Sequence, residues 1–247
     1  MDDFIGTPER LQVLRISCLE RDRNRCVATS TFNLTEAQAR FERADQGQQA
    51  QQAQDDDGNL LTADERFDYL EVAHIIPYGL IGVKDDDSRI GEGKKAAIKI
   101  LNMFDIGVVH LIEGSDINRP YNAISLSQQA HKGFGNFKIY FKHISDATYY
   151  VGTFLHPVVA RPLPHERTLF THPTIDPPSE RLLAIHYAIA HILHLSAASE
   201  YIDKVLRDME EGIVRADGST QRGLWCSCPW ACRADGLAIK NPDSRAP

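Results

Sequence analysis

The sequence that decides the fold is split between two places in the chain. The first part reads Val72-Ala73-His74-Ile75-Ile76-Pro77, and the second reads Asn122-Ala123-Ile124-Ser125-Leu126-Ser127-Gln128-Gln129-Ala130-His131-Lys132. A histidine on a strand that faces a histidine on a following helix can hold a divalent metal beside a general base. A bound metal and a general base are the minimum requirement for hydrolysis of a phosphodiester bond.

The first part is predicted to be a strand. Residues 69–76 have the composition of a strand, and Pro77 and Gly79 end it. Alternation places four residues on one face, which are Leu70, Val72, His74 and Ile76. A lone histidine among apolar neighbours is more often a hydrogen-bonded core residue than a catalyst. The strand by itself therefore leaves both interpretations open.

The second part is predicted to contain a short helix. Ser127 is a good N-cap for a helix through His131 to about Phe134, and Gly133 and Gly135 are predicted to end it. His131 then lies in the first or second turn, near the positive end of the helix dipole. A bound phosphate is favoured at the same place.

Charge argues against a surface built entirely for nucleic acid. The formal net charge is -7, whereas phosphate neutralisation needs clustered Lys and Arg. Residues 119–143 nevertheless contain no Asp or Glu and carry Arg119, Lys132, Lys138 and Lys142. A solvated cationic edge explains this stretch equally well when it is considered alone. Its coincidence with the histidines favours a phosphate-binding surface.

Composition favours a folded intracellular protein. The chain has 247 residues, 43% of them hydrophobic, which is enough to bury a core. The N-terminus lacks the basic and then apolar order of a secretion signal, and no apolar run approaches the roughly 18 residues of a membrane span. We therefore expect a cytoplasmic or nuclear location. Five cysteines, an odd number, favour reduced thiols over a disulfide framework.

The N-terminal half is predicted to contain a hairpin and a helix. The segment Ser17–Ser30 is interpreted as a short helix or strand followed by a β-hairpin arm. A helix is predicted from Thr35, its cap, to about Gln54. The polar tail of this helix, residues 46–58, is predicted to be an exposed and mobile insertion.

A second insertion is predicted over residues 79–118. It contains an acidic turn at residues 85–87 and an amphipathic helix over Lys94–Met103. The acidic turn has the composition of a cation site, but three carboxylates in a loop are usually solvated.

The C-terminal part is predicted to be mostly helical. Over Glu180–Glu211 we expect one or two helices, which pack against the rest of the chain or form a dimer surface. Their apolar face comprises Leu182, Ile185, Ile189 and Leu193. His186 is predicted to lie in the core, and His191 and His194 in solvent. The last segment, with Cys226, Cys228 and Cys232, has three metal donors without a fourth and is interpreted as a flexible tail.

At these positions the chain resembles the HNH endonuclease family. His74-Ile75-Ile76-Pro77, Asn122 and His131 resemble the motif of the ββα-metal fold, in which a β-hairpin and one helix clamp a single divalent cation. The sequence around these positions is similar to that of uncharacterised fungal proteins with an HNH-type nuclease domain. Those proteins are also similar over Arg161–Pro164, Leu182–His186 and Glu200–Asp203, so the resemblance covers residues 15–223.

The resemblance implies an α+β fold, with a ββα-metal (HNH) finger, helical insertions and a C-terminal helical extension. The HNH nuclease-like domain would span residues 15–150, with insertions at about 35–66 and 79–118. A strand and helical extension over residues 151–223 would pack on it. Residues 224–247 would form the tail.

The resemblance also implies one-metal hydrolysis of nucleic acid. His74 would be the general base, Asn122 would fix the loop that orients it, and His131 would ligate one cation such as Mg²⁺ or Mn²⁺. Arg119, Lys132 and Lys138 would contact the nucleic acid, which is DNA rather than RNA in our expectation. A possible homo-oligomer through residues 180–211 is the other expected partner.

The chain departs from the HNH pattern in two ways. Many members of the class have a metal-binding Asp or His before the base, where this chain has Ala73. Glu71 on the same strand face, about 6.6 Å away, and Asp116 are the alternative donors. Cys26 has no Cys-x-x-Cys partner, so no structural zinc is expected. A catalytically inactive protein that uses the HNH scaffold for assembly is therefore the alternative to a nuclease.

Overall fold

The computed structural model describes residues 8–46, 52–62, 64–77, 98–112, 114–160 and 163–195. The α-helices with both ends in these ranges are α1 (Pro8–Arg21), α2 (Leu34–Gln46), α3 (Gln128–Gly135), α4 (Pro157–Ala160) and α5 (Glu180–Leu195). The strands are β1 (Phe32–Asn33), β2 (Phe67–Asp68), β3 (Leu70–His74), β4 (Ala123–Ser127), β5 (Ile139–Ser145), β6 (Thr148–Thr153) and β7 (Glu166–Thr168). In the described part of the chain, no helix has the length and apolarity of a membrane span.

The centre of the fold is a hairpin of β3 and β4 followed directly by α3. The two strands are antiparallel, with a register that runs from Leu70 opposite Ser127 to His74 opposite Ala123. All five residues of β4 are buried, and α3 packs on both strands. The α+β class and the ββα arrangement are confirmed.

Gly133 lies inside α3 rather than ending it. The helix continues to Gly135, and Asn136 at the C-cap donates its backbone N–H to the carbonyls of Lys132 and Phe134. A Cβ on Gly133 would lie 2.6 Å from Cδ1 of Ile139, so glycine lets β5 approach the helix closely. Our assignment of Gly133 as a stop is therefore wrong.

The predicted β-hairpin arm after residue 17 is wrong. Residues 17–21 belong to α1, and the following turn has only one isolated bridge, from Arg25 to Phe32. Arg23, Asn24 and Ser30 adopt φ angles of 53°, 53° and 63°. Residues in this left-handed region interrupt an extended chain, which is why two regular strands do not form.

The cap and the tail of α2 also differ from expectation. Asn33, not Thr35, caps the helix, because its Oδ1 accepts the N–H of Thr35 at 3.2 Å. Ala53 and Asp55 are buried, so the prediction of an exposed tail is wrong at these positions. Arginines tie residues 55–57 to the body, through the ion pairs Arg25–Asp55, Arg40–Asp56 and Arg23–Asp57. Residues 47–51 lie outside the described residues.

The rest of the core is a three-stranded antiparallel sheet, β5–β6–β7, on which α5 packs. Leu182, Ile185 and Leu193 are buried, as predicted, and Ile189 is partly buried against the core. Residues 98–104 are helical, whereas the acidic turn, the start of this helix, Glu200–Asp203 and the cysteine-containing tail lie outside the described residues.

The histidines of α5 all contact the body of the protein. His191 lies 4.6 Å from the ring of Tyr140, and His194 stacks on Phe154 at 4.2 Å. Our placement of these two side chains in solvent is wrong, because the helix lies over an aromatic sheet face that accommodates imidazole rings. The predicted dimer surface stays a prediction.

His186 is buried and is stacked between two phenylalanines. Its ring centroid lies 3.8 Å from that of Phe134 and 4.7 Å from that of Phe137. Its Nε2 hydrogen-bonds the Phe134 carbonyl at 3.1 Å, which places the proton of the neutral ring on Nε2. Burial lowers the pKa of His186 to about 3.

The lowered pKa of His186 predicts that the protein loses stability in acid. In the unfolded chain the histidine takes up a proton near pH 6.5, whereas in the folded chain it stays neutral down to about pH 3. The unfolded state therefore binds more protons in this window, and the free energy of unfolding falls as the pH falls from 6.5 to about 3. His186→Leu should reduce this slope, by up to about 1.4 kcal/mol per pH unit, in urea unfolding measured from pH 7 to pH 4. His156→Leu, at an exposed position, is the control. An unchanged slope in His186→Leu would contradict the assignment.

Candidate functional site

His74 is the last residue of β3 and is held by an amide from a neighbouring turn. Its Nε2 lies 2.9 Å from Oδ1 of Asn118, which belongs to the 3₁₀ turn Gly114–Asn118. An amide oxygen can only accept a hydrogen bond, so Nε2 carries the proton of the neutral ring. The lone pair is then on Nδ1, the nitrogen available to act as a base.

The surroundings of His74 keep the ring neutral. Burial is the largest cause that lowers its pKa below 6.5; the bond to Asn118 opposes the shift, and His131 lowers the pKa further. The two imidazoles therefore interact electrostatically, although they lie 57 positions apart in the sequence.

His131 projects from α3 toward β3 and is held there by Glu71. Its Nδ1 lies 2.6 Å from Oε2 of Glu71, and Oε1 of the same carboxylate accepts a bond from Gln128 at 3.3 Å. A carboxylate accepts, so Nδ1 carries the proton of the neutral imidazole and Nε2 carries the lone pair. The side chain of His131 is 36% exposed.

Asn122 is fully buried and joins three backbone segments. Its Oδ1 accepts the N–H of Ile76 at 3.0 Å, and its Nδ2 donates to the carbonyls of Ile76 at 3.2 Å and Ile117 at 2.9 Å. The backbone carbonyl of Asn122 accepts the N–H of Ile75 at 2.8 Å. These bonds fix the chain directly after His74 and directly before Asn118, which is a positioning role.

The three residues predicted to contact nucleic acid differ in exposure and in ion pairing. Arg119 is 61% exposed and pairs with Asp116 at 3.4 Å. Lys132 is exposed beside His131, whereas Lys138 is partly buried between α3 and β5. Although residues 119–143 contain no acid, Glu71 and Asp116 adjoin them in space, so the surface is less basic than the sequence suggests. The roles of the three basic residues stay predictions.

The described part of the chain offers few donors for a cation. Ala73 is 2% exposed in the main core, and the described residues contain no cluster of three or more His, Cys, Asp or Glu side chains that could hold a metal ion. Asp116 is paired with Arg119, and Glu71 is engaged by Nδ1 of His131 and by Gln128, which leaves Nε2 of His131 as the donor. A single protein ligand fits a cation of the Mg²⁺ type, which keeps several water ligands and takes phosphate oxygens from its substrate.

The comparison with protein families agrees with this arrangement. Residues 28–142 match the model of a family described as HNH endonuclease. This segment contains β3, β4 and α3 with His74, Asn122 and His131, and the match supports an HNH-type domain there and a nuclease-like function in general. Members of that class generally use a divalent metal and act on nucleic acid. No curated protein and no solved structure matches the chain.

The sequence did not predict that Asn118 belongs to the site, nor that Glu71 is the hydrogen-bond partner of His131. Asn118 gave no signal, because its contact with His74 spans 44 positions and depends on a turn that the sequence did not predict. Glu71 was considered only as a metal donor, but it hydrogen-bonds Nδ1 of His131. Strand alternation combined with an antiparallel β3–β4 register would have placed it under α3.

The contact between Asn118 and His74 predicts that a negative charge at position 118 raises the pKa of His74. In Asn118→Asp the carboxylate stabilises the imidazolium, so the pKa of His74 should rise relative to that of the parent protein. NMR titration of the His74 ring signals measures this directly. Asn136→Asp, the same substitution at an exposed position, should leave the pKa unchanged. Equal titration of His74 in parent and Asn118→Asp would contradict the contact.

Proposed function

We propose that this protein is a metal-dependent HNH endonuclease that hydrolyses phosphodiester bonds in nucleic acid. His74 is the general base, His131 the metal ligand, and Asn122 the residue that positions the loop around His74. We propose DNA as the preferred substrate, and either Mg²⁺ or Mn²⁺ as the cation. The proposal rests on one observation above all, which is that hydrogen-bond partners fix both rings so that Nδ1 of His74 and Nε2 of His131 carry the lone pairs.

The chemistry of each ring follows from its fixed partner. Nδ1 of His74 takes a proton from the attacking water, and Oδ1 of Asn118 stabilises the resulting imidazolium by accepting Nε2–H. The lowered pKa of His74 keeps the base unprotonated at neutral pH. Glu71 keeps the proton of His131 on Nδ1 and leaves Nε2 to face a cation. A bound cation would neutralise charge that develops on the leaving 3′ oxygen.

The alternative function is an interaction protein that retains the HNH scaffold without catalysis. Ala73, in place of a metal-binding residue, is the observation that favours it. A retained base would have no use in such a protein, and the hydrogen bonds that fix both rings would have no chemical role. We therefore place the nuclease first.

Removal of the base predicts a large loss of activity. His74→Ala should lower the rate of plasmid or RNA cleavage about 10²- to 10⁴-fold, or about 2.7–5.4 kcal/mol in the barrier, because general-base catalysis contributes that much. Cleavage is measured with Mg²⁺, Mn²⁺ and chelator, and His156→Ala is the control. A folded parent protein that neither cleaves nor takes up metal would overturn the nuclease and favour the interaction protein.

Removal of the carboxylate predicts weaker metal binding. Glu71→Ala should reduce Mn²⁺ affinity about 10- to 100-fold in calorimetry, because partners behind a ligating histidine contribute that much. Glu71→Gln keeps an acceptor for Nδ1–H and should lose less. Asp116→Ala removes the other candidate donor and should bind Mn²⁺ like the parent. Loss of binding in Asp116→Ala alone would contradict the role of Glu71.

A further inference from the structure

A groove on the outer face of the β5–β6 sheet has no role in the reaction above. Its volume is about 350 Å³, and it is lined by Tyr140, Lys142, Ile144, Tyr150 and Tyr187. Three of these residues alternate along β5, whereas Ile139 and Phe141 point into the core on the other face. The volume lies at the small end of the range of ligand pockets, about 300–1,000 Å³.

The ring of Tyr140 is fixed in the floor of this groove. It lies flat over Gly152 of the neighbouring strand, where an added Cβ would come within 2.2 Å of Cζ. Tyr187 and His191 from α5 pack against it, with ring centroids at 5.4 Å and 4.6 Å. A side chain at position 152 would displace the ring, so the glycine permits Tyr140 to hold its place in the lining of the groove.

Tyr150 provides an exposed aromatic wall. It is 37% exposed, and the ring of His165 stacks behind it with an interplanar angle of 9° at 6.2 Å. Ile144 is 49% exposed at the end of the groove. Exposed rings held by their neighbours can stack on a base at little entropic cost.

The charged residue that lines the groove is Lys142. Lys142 lies directly opposite Tyr150 in the β5–β6 register, is exposed, and forms no ion pair within the described residues. None of the five lining residues is acidic. Glu166 lies opposite Tyr150 on the other side, on β7, so a phosphate is favoured on the Lys142 side only. Aromatic rings beside one lysine match a base with its phosphate better than they match an aliphatic peptide.

We propose that this groove binds one unpaired base of the nucleic acid, with Lys142 against the adjacent phosphate. A base can enter between ring faces only when it lies outside a duplex, so the substrate class contains single-stranded segments. This inference rests on the proposed function for its biological meaning, but the groove can be tested without any cleavage.

The test is fluorescence anisotropy with labelled single-stranded oligonucleotides, DNA and RNA, and a blunt duplex, all with chelator present. Tyr150→Ala and Lys142→Ala should each weaken single-strand binding about tenfold, because stacking and phosphate contacts contribute on that scale. Tyr150→Phe keeps the ring and should bind like the parent. Lys99→Ala, at an exposed lysine outside the groove, is the matched charge control.

The outcomes separate this groove from the nuclease proposal. Single-strand binding that depends on Tyr150 and Lys142, in a protein that fails to cleave, supports the groove and overturns the nuclease. Cleavage with single-strand binding unaffected by both groove variants overturns the groove and keeps the nuclease. Absence of single-strand binding, or equal binding of the blunt duplex, also overturns the groove.

Discussion

The buried amide of Asn122 is the constraint on which the candidate site depends. An amide in a dry interior must satisfy its donors and acceptor, and Asn122 does so by bonding the backbone of Ile76 and Ile117. Ile76 follows His74 by two residues, and Ile117 precedes Asn118 by one. The partners of Asn122 therefore set the separation of His74 from Asn118, the residue that fixes its tautomer, although Asn122 contacts neither side chain.

The same segment is held from its other side by a buried ion pair. Arg21 and Asp22 are 1% and 0% exposed, and they bond each other through both carboxylate oxygens. Arg21 also donates to the carbonyls of Pro120 and Ala123, while Asp22 accepts the N–H of Ser125. Two charges removed from water are stable only when their remaining donors and acceptors are used in this way. The pair fixes the backbone on both sides of Asn122.

The sequence alone predicted the parts of this site that follow from local periodicity and caps. The β3 strand and the helix that carries His131 were predicted within a few residues of their ends, because alternation and a serine before a helix are short-range signals. Strand β4 came only from the family resemblance. Asn118, the role of Glu71 and the close approach at Gly133 were missed, because each depends on a partner that the fold brings from another segment.

The stacked ring of His186 makes the C-terminal part a structural neighbour of the site. His186 of α5 lies against Phe134, three residues after His131 on α3. The segment that matches the HNH family ends at residue 142, inside β5, and it excludes β6, β7 and α5. A fragment cut at that boundary would lack the strands that pair with β5 and would expose the face of Phe134 that His186 covers. The segment that matches the family, residues 28–142, is therefore shorter than the structural unit of which it is part.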